Sequence, residues 1–462
     1  MGTTTEFHHG YPTEQAAGAL RDARDLQQAT AAYRFFYPTV SAEGIMNGNR
    51  SMGVPDSEAI LLMQASPRQV IFTANSDTPY ACGVADLHDT GPLVIDMPEG
   101  PFIGLADDHH QRWIVDMGLP GPDAGKGGRY LLLPPGYKEK APAGYHAAHA
   151  FTLKVLLAFR AMPIGGDFDA ALRALRRIQV YPLSQGPEGP RTMKFMDVTG
   201  RPSDATCLRW EDNLQYWQKL HEILIFEPPV KEFRPMYGAL ASLGIEKEKP
   251  FQPDDRMKQI LEDAARQGRD QMLEEAFCST RSDIEVFGDR RWEWVGLVPQ
   301  NGNFESPSYL DTAARDRWFI QAIVSSPAMF RRQVGSGSTY FLSAWDRDGA
   351  FLDGDKTYRL RVPQPVPASL FWSVTAYDAE TRSQVQTDLD KAALRSLAGE
   401  FRPDPEDGSV QLFFGPTAPE GLEGQWIKTV PGKGWFAYFR IYGPTGKAFD
   451  GSWKPGDFEE VK

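Results

Sequence analysis

The stretch Trp435-Phe436-Ala437-Tyr438-Phe439-Arg440-Ile441-Tyr442 alternates between two kinds of side chain. Successive residues of a strand point to opposite faces. Trp435, Ala437, Phe439 and Ile441 therefore make an apolar face suited to a core. The other face carries Phe436, Tyr438, Arg440 and Tyr442. Two tyrosines around one arginine suit either solvent or one wall of a ligand pocket. Short runs of the same kind precede it at Thr339–Ala344, Thr357–Val362, Phe371–Tyr377 and Val410–Phe414. Turn signals at Asp346–Gly349, Asp353-Gly354 and Pro431–Gly434 separate the runs. This spacing predicts an antiparallel, jelly-roll-like β-sandwich over residues 331–462.

Upstream, residues 1–200 read as a mixed, β-rich domain. Helical spacing predicts an amphipathic helix over Thr13–Phe36. Strands are expected across Gln69–Met97, Phe102–Asp116, Tyr130–Leu133 and Ala150–Ala161. A short helix is expected at Phe168–Ile178, capped by Asp167. Residues 201–330 form a helical linking segment, with helices over Glu211–Phe226, Lys231–Leu243, Asp254–Thr280 and Tyr309–Ser325. The last of these is expected to be capped near Ser306–Ser308. The class is α+β, mainly β.

Composition narrows the function. The chain has 462 residues, with 49 Lys plus Arg against 61 Asp plus Glu, so its net charge is −12. An acidic surface disfavours nucleic acid and anionic membranes. Apolar residues at 41% and aromatics at 12% are enough for sizeable cores. Cys82, Cys207 and Cys278 lie far apart, without the spacing of a disulfide framework or a structural zinc site. No export signal and no apolar run of spanning length is visible, so the expected location is the cytoplasm. A periplasmic or secreted location follows if a signal was removed ahead of this numbering.

Four motifs carry candidate chemistry. In Phe72-Thr-Ala-Asn-Ser-Asp-Thr-Pro-Tyr80 an extended backbone would put Asn75 and Asp77 on one face and Tyr80 on the other. The plainer reading is a turn held by Asn and Asp side chains. In Asp107-Asp-His-His-Gln-Arg-Trp113 a strand would align Asp108, His110 and Arg112. That alignment suits an acid–base pair, or a metal pair completed by His88, His146 or His149; the plainer reading is a satisfied His–Asp pair. The loop Gly121–Tyr130 can cradle an anion with Lys126, but it lacks the order of a nucleotide P-loop. Arg440 leans towards a pocket, and the Asp378–Arg382 pair towards pinning a hairpin. No nucleophile elbow of the GxSxG kind occurs.

Thr73–Tyr80, Gly91-Pro-Leu-Val94 and Gly125–Tyr137 together resemble the domain-of-unknown-function family 1254. Asp353–Leu360, Phe371–Asp378, Trp426–Trp435, Arg440–Pro444 and Trp453–Gly456 resemble its usual partner, family 1214. The resemblance implies a β-rich N-terminal domain and a jelly-roll-like C-terminal one. It implies no reaction and no cofactor.

The residues themselves lead us to expect an enzyme acting on a small, partly apolar molecule in a cleft between the β domains, by hydrolysis or elimination. Asp108, His110 and Lys126 would be catalytic, Lys126, Arg440 or Tyr442 holding negative charge. Asn75, Asp77, Tyr80, Trp113, Tyr438, Arg440 and Tyr442 would bind substrate. The alternatives are a non-catalytic module for a small ligand or a protein, and a self-associating sandwich.

Overall fold

The computed structural model describes residues 6–298, 302–335, 337–399 and 401–461. In the N-terminal half a six-stranded sheet runs in the order Lys194–Asp197, Ala59–Met63, Tyr80–Asp86, Lys154–Ala161, Phe102–Asp108, Trp113–Gly118. All its pairings are antiparallel except the outermost, Lys194–Asp197 beside Ala59–Met63. A four-stranded sheet, His146–His149, Gly128–Leu133, Leu93–Met97 and Gln179–Pro182, shares a core with it. Along Lys154–Ala161, Val155, Leu157 and Phe159 enter that core. Leu156, Ala158 and Arg160 alternate with them and take the opposite face.

The opposite face is covered by helices. The N-terminal helix runs from Glu14 to Ser51, past Pro38 and well beyond the expected end at Phe36. Proline ends most helices because it lacks an N–H and its ring crowds the preceding turn. Here burial outweighs that cost: Ala42, Ile45 and Met46 pack with Val84 and Leu156 of the sheet. Two glycines let the chain at 204–207 lie close against the same helix. A Cβ at Gly44 would sit 2.6 Å from the Thr206 carbonyl carbon, and one at Gly48 would sit 2.6 Å from Ala205 Cα. The helices Leu214–Phe226, Arg234–Ser242 and Asp255–Phe277 match the expected ones and share one apolar core with the N-terminal helix.

The fourth expected helix is shorter, Thr312–Phe319, and its cap is Asp311 rather than a serine near 306–308. Asp311 Oδ1 accepts from Ala314 N at 2.9 Å. The chain beyond it is tied to the sheet instead of continuing the helix. Ser325 N donates to Asp107 Oδ2 at 2.7 Å, and Val324 N to Gln111 Oε1 at 2.6 Å.

The C-terminal half is the expected sandwich. A five-stranded sheet, Glu293–Trp294, Ser338–Ser343, Trp435–Pro444, Ala368–Asp378 and Ala393–Arg395, faces a four-stranded one of Trp426–Lys428, Val410–Gly415, Tyr358–Val362 and Phe458–Glu460. One pairing, Val410–Gly415 with Trp426–Lys428, is parallel. Ala437, Phe439 and Ile441 fill the sandwich core, as their alternation predicts. The alternate face of the same strand, together with Ser373, Thr375 and Tyr377, lies against the N-terminal half.

A buried ion pair joins the layers. Arg382 is fully buried and donates from Nη2 to Glu211 Oε2 at 2.7 Å, so its side chain does not turn to Asp378. Tyr37 donates to the same oxygen at 2.8 Å, and Tyr33 to the Glu211 carbonyl at 2.6 Å. Breaking a buried pair strands the remaining charge, which costs about 3–5 kcal/mol. Arg382→Met should therefore lower stability by about that amount, read as a shift of the urea midpoint. Arg382→Met combined with Glu211→Gln should recover part of the loss. A single variant of unchanged stability would contradict this account.

Candidate functional site

Where the helical layer, the six-stranded sheet and the C-terminal sheet meet, they enclose a cavity of about 310 Å³. Its wall is mainly apolar. Ile45 and Met52 come from the end of the N-terminal helix, Leu61 and Met63 from a strand, and Leu156 and Ala158 from the next strand but one. Ile323 and Val324 reach it because Asp107 and Gln111 hold that segment down.

Polar groups are concentrated where the two halves meet. Asn75, Tyr80, Arg160, Ser338, Tyr340, Tyr438 and Arg440 all line the cavity. Arg440 is 3% exposed and donates to the Thr73 carbonyl at 2.9 Å and to Thr375 Oγ1 at 3.1 Å. Its guanidinium lies 4.9 Å from the Tyr438 ring centre and 5.7 Å from that of Tyr340. Arg160 lies over the Tyr80 ring, and its charge acts on the Tyr340 phenol. Burial would lower the pKa of Arg160, but the phenols of Tyr340, Tyr80 and Tyr442 outweigh it and raise it. Ser338 Oγ donates to Tyr340 Oη at 2.6 Å. For Tyr340 burial acts upward, yet Arg160, Ser338 and Arg440 prevail and hold the phenol below the ordinary tyrosine value.

The segment Phe72–Pro79 is not a strand; the strand begins at Tyr80. Asn75 Oδ1 accepts from Asp77 N at 3.0 Å and Thr78 N at 3.3 Å, a side-chain-held turn. Asp77 lies behind the wall, where its Oδ2 accepts from Ser373 Oγ at 2.6 Å and Tyr442 OH at 3.1 Å. Of the expected binding residues, Asn75, Tyr80, Tyr438 and Arg440 thus line one cavity, with Asp77 and Tyr442 hydrogen-bonded together beside it.

Asp108, His110, Lys126 and Trp113 are not among the lining residues. The strand ends at Asp108, and its Oδ1 caps the following turn by accepting from His110 N at 2.8 Å and Arg112 N at 2.9 Å. Asp108 and His110 therefore do not share a strand face. Burial foremost pushes the Asp108 carboxyl up to about 6 and holds the His110 imidazole well below its ordinary value. His110 Nδ1 is 2.8 Å from Thr39 Oγ1, beneath Phe36 and Phe233. Lys126 is exposed, in a loop organised by Asp123 Oδ1, which accepts from Gly118 N at 2.8 Å and from Tyr130 OH. His88 and His149 are exposed, and His146 packs on Tyr130. Among the described residues, no group of three or more His, Cys, Asp and Glu side chains is placed to hold a metal ion.

Arg160, Tyr340 and Asp116 were missed by sequence reasoning. Each is an ionisable residue inside a short, mainly apolar strand, and that was the available signal. Asp116 is 5% exposed, and burial foremost pushes its carboxyl up to about 6.

Comparison with known proteins fits this division of labour. The family model described as "Protein of unknown function (DUF1254)" matches residues 59–182, and "Protein of unknown function (DUF1214)" matches residues 337–446. The chain belongs to the two-domain DUF1254–DUF1214 proteins. Its DUF1254 region supplies Asn75, Tyr80, Asp116 and Arg160, and its DUF1214 region supplies Ser338, Tyr340, Tyr438 and Arg440.

The crystal structure of the VPA0106 protein from Vibrio parahaemolyticus superposes with a TM-score of 0.58 at 18% identity, covering 95% of this chain and 100% of that one. The fold is shared between them. An uncharacterised protein from Burkholderia cenocepacia covers 97% of this chain and 96% of its own, at 13% identity, but its TM-score of 0.39 is too low to argue from. No curated protein matches the chain. Among the described residues, no helix is long and apolar enough to cross a membrane.

A second cluster stands apart from the cavity. His109 Nδ1 lies 2.8 Å from Glu227 Oε1, and its Nε2 lies 3.6 Å from Glu43 Oε2. Burial alone would lower the His109 pKa, but the two carboxylates outweigh it and raise the imidazole above the ordinary 6.5. A raised folded-state pKa means the stabilisation is complete below the unfolded value of 6.5 and is lost as pH rises through the higher folded-state pKa. His109→Gln should therefore cost about 3 kcal/mol at pH 6 and distinctly less at pH 9, measured by denaturant unfolding at both. A pH-independent cost would contradict this protonation state.

Proposed function

We propose that this protein is an enzyme that takes a small, largely apolar organic molecule into the inter-domain cavity and acts on its oxygen-bearing end. One observation carries the reading: Arg160 is a half-buried cation among the polar groups of a mainly apolar wall, and the groups that raise its pKa are phenols rather than carboxylates. A buried charge needs a counter-charge or strong hydrogen bonds. A ligand carbonyl or carboxylate oxygen meets that need, and the apolar remainder of the wall takes the rest of the molecule.

The inventory favours proton transfer, as in elimination, over hydrolysis. Among the described residues no histidine lines the cavity to activate water or a serine. Burial pushes the Cys82 thiol up to about 12, so it is not a ready nucleophile. The same two facts favour the second reading, a binding module without chemistry.

Decanoate, a simple molecule with these features, should bind one per chain in a calorimetric titration. Arg160→Met should weaken it tenfold or more, about 1.4 kcal/mol. Ala158→Phe should abolish binding by filling the cavity. Unchanged affinity in either variant would overturn the assignment.

A further inference from the structure

We propose that Tyr340 is the catalytic acid–base residue of the cavity, and that its substrate is a largely apolar carbonyl compound with a removable proton beside the carbonyl. The inference rests on the reading above and adds the reacting group and substrate class.

Tyr340 stands on the cavity wall with a donor at its phenol oxygen. Its strand, Ser338–Ser343, alternates so that Phe341 enters the sandwich core while Ser338 and Tyr340 line the cavity. Ser338 donates to the phenol oxygen at 2.6 Å, the positive charge of Arg160 acts on the same phenol, and the Arg440 guanidinium lies 5.7 Å from the ring centre. Donors directed at a phenol oxygen favour its deprotonated form. Its direction of shift agrees, below the ordinary value of 10.0. Among the neighbouring phenols Tyr80 also accepts, from Asn75 N at 3.3 Å, but burial foremost raises its pKa; the other three donate. Tyr438 donates to Gln321 Oε1 at 3.0 Å, Tyr442 to Asp77 Oδ2 at 3.1 Å, and Tyr377 to the Ala74 carbonyl at 2.8 Å. A phenol that donates to a fixed acceptor is held protonated and is poorly placed to take a substrate proton.

The step balances without a co-reactant. The Tyr340 phenolate oxygen takes the proton from the carbon beside the carbonyl. The C–H electron pair forms the new C=C bond, and the carbonyl π pair moves to its oxygen. Negative charge passes from the phenolate to the enolate oxygen, so a guanidinium within reach of both, such as Arg160, faces a constant charge. Return of the proton to the same or another carbon completes an exchange or isomerisation. Expulsion of a leaving group from the next carbon completes an elimination.

Two measurements test this. The first needs no ligand: tyrosinate absorbance at 295 nm is followed against pH for the wild type and Tyr340→Phe. The difference should titrate below pH 10.0. A difference that titrates at or above that pH overturns the proposal.

The second uses 2-decanone in heavy water, following loss of its α-proton NMR signal. The wild type should accelerate exchange at least a hundredfold over buffer. Tyr340→Phe should lose that acceleration while still binding decanoate one per chain, which separates chemistry from binding and folding. Exchange retained in Tyr340→Phe, or absent from a wild type in which 2-decanone displaces decanoate, overturns the catalytic role. Failure of both compounds to bind overturns the reading of the cavity itself.

Discussion

Arg440 fixes how the two halves of the protein meet. Its guanidinium is almost wholly buried, so its desolvation must be offset by the groups around it. Those groups come from both halves: the Thr73 carbonyl at 2.9 Å and Thr375 Oγ1 at 3.1 Å. Tyr377 donates to the Ala74 carbonyl at 2.8 Å, Gln384 to the same oxygen at 3.1 Å, and Arg395 to the Ser76 carbonyl at 2.7 Å. A turn of the N-terminal half is thereby held on the polar face of the C-terminal sheet. The cavity exists because those two surfaces are kept in register.

The same arrangement sets the chemistry of the cavity. Apolar side chains keep the local dielectric low, so each charge on the wall acts over a longer range than it would in water. Arg160 comes from the six-stranded sheet and Arg440 from the sandwich, and both act on Tyr340. Neither half alone contains this trio. That gives a physical reason for one chain to carry both family regions, since the candidate site requires both.

The sandwich was legible in the sequence because its strands alternate cleanly, with apolar residues at every second position. Tyr438 and Arg440 were placed on the correct face for that reason, and Asn75 and Tyr80 reached the cavity through a turn that their polar neighbours signalled. The N-terminal helix ran past Pro38 because tertiary packing overrode local propensity. Asp108 and His110 were misleading for a related reason. The strand stops at Asp108, and one hairpin turn destroys the period-2 face on which their pairing depended. Arg160 and Tyr340 are distant in sequence, lie on different sheets and meet only where the two halves pack, which no local pattern encodes.

The central claim is that the arginine and tyrosine end of the cavity orients an otherwise apolar ligand. Crystals grown with 10-bromodecanoic acid test it most directly, since anomalous scattering locates the bromine independently of the acid end. The account predicts the carboxylate at Arg160 and Arg440, with the bromine among the apolar side chains of the wall. A reversed ligand, or one bound elsewhere on the protein with the cavity unfilled, would contradict it.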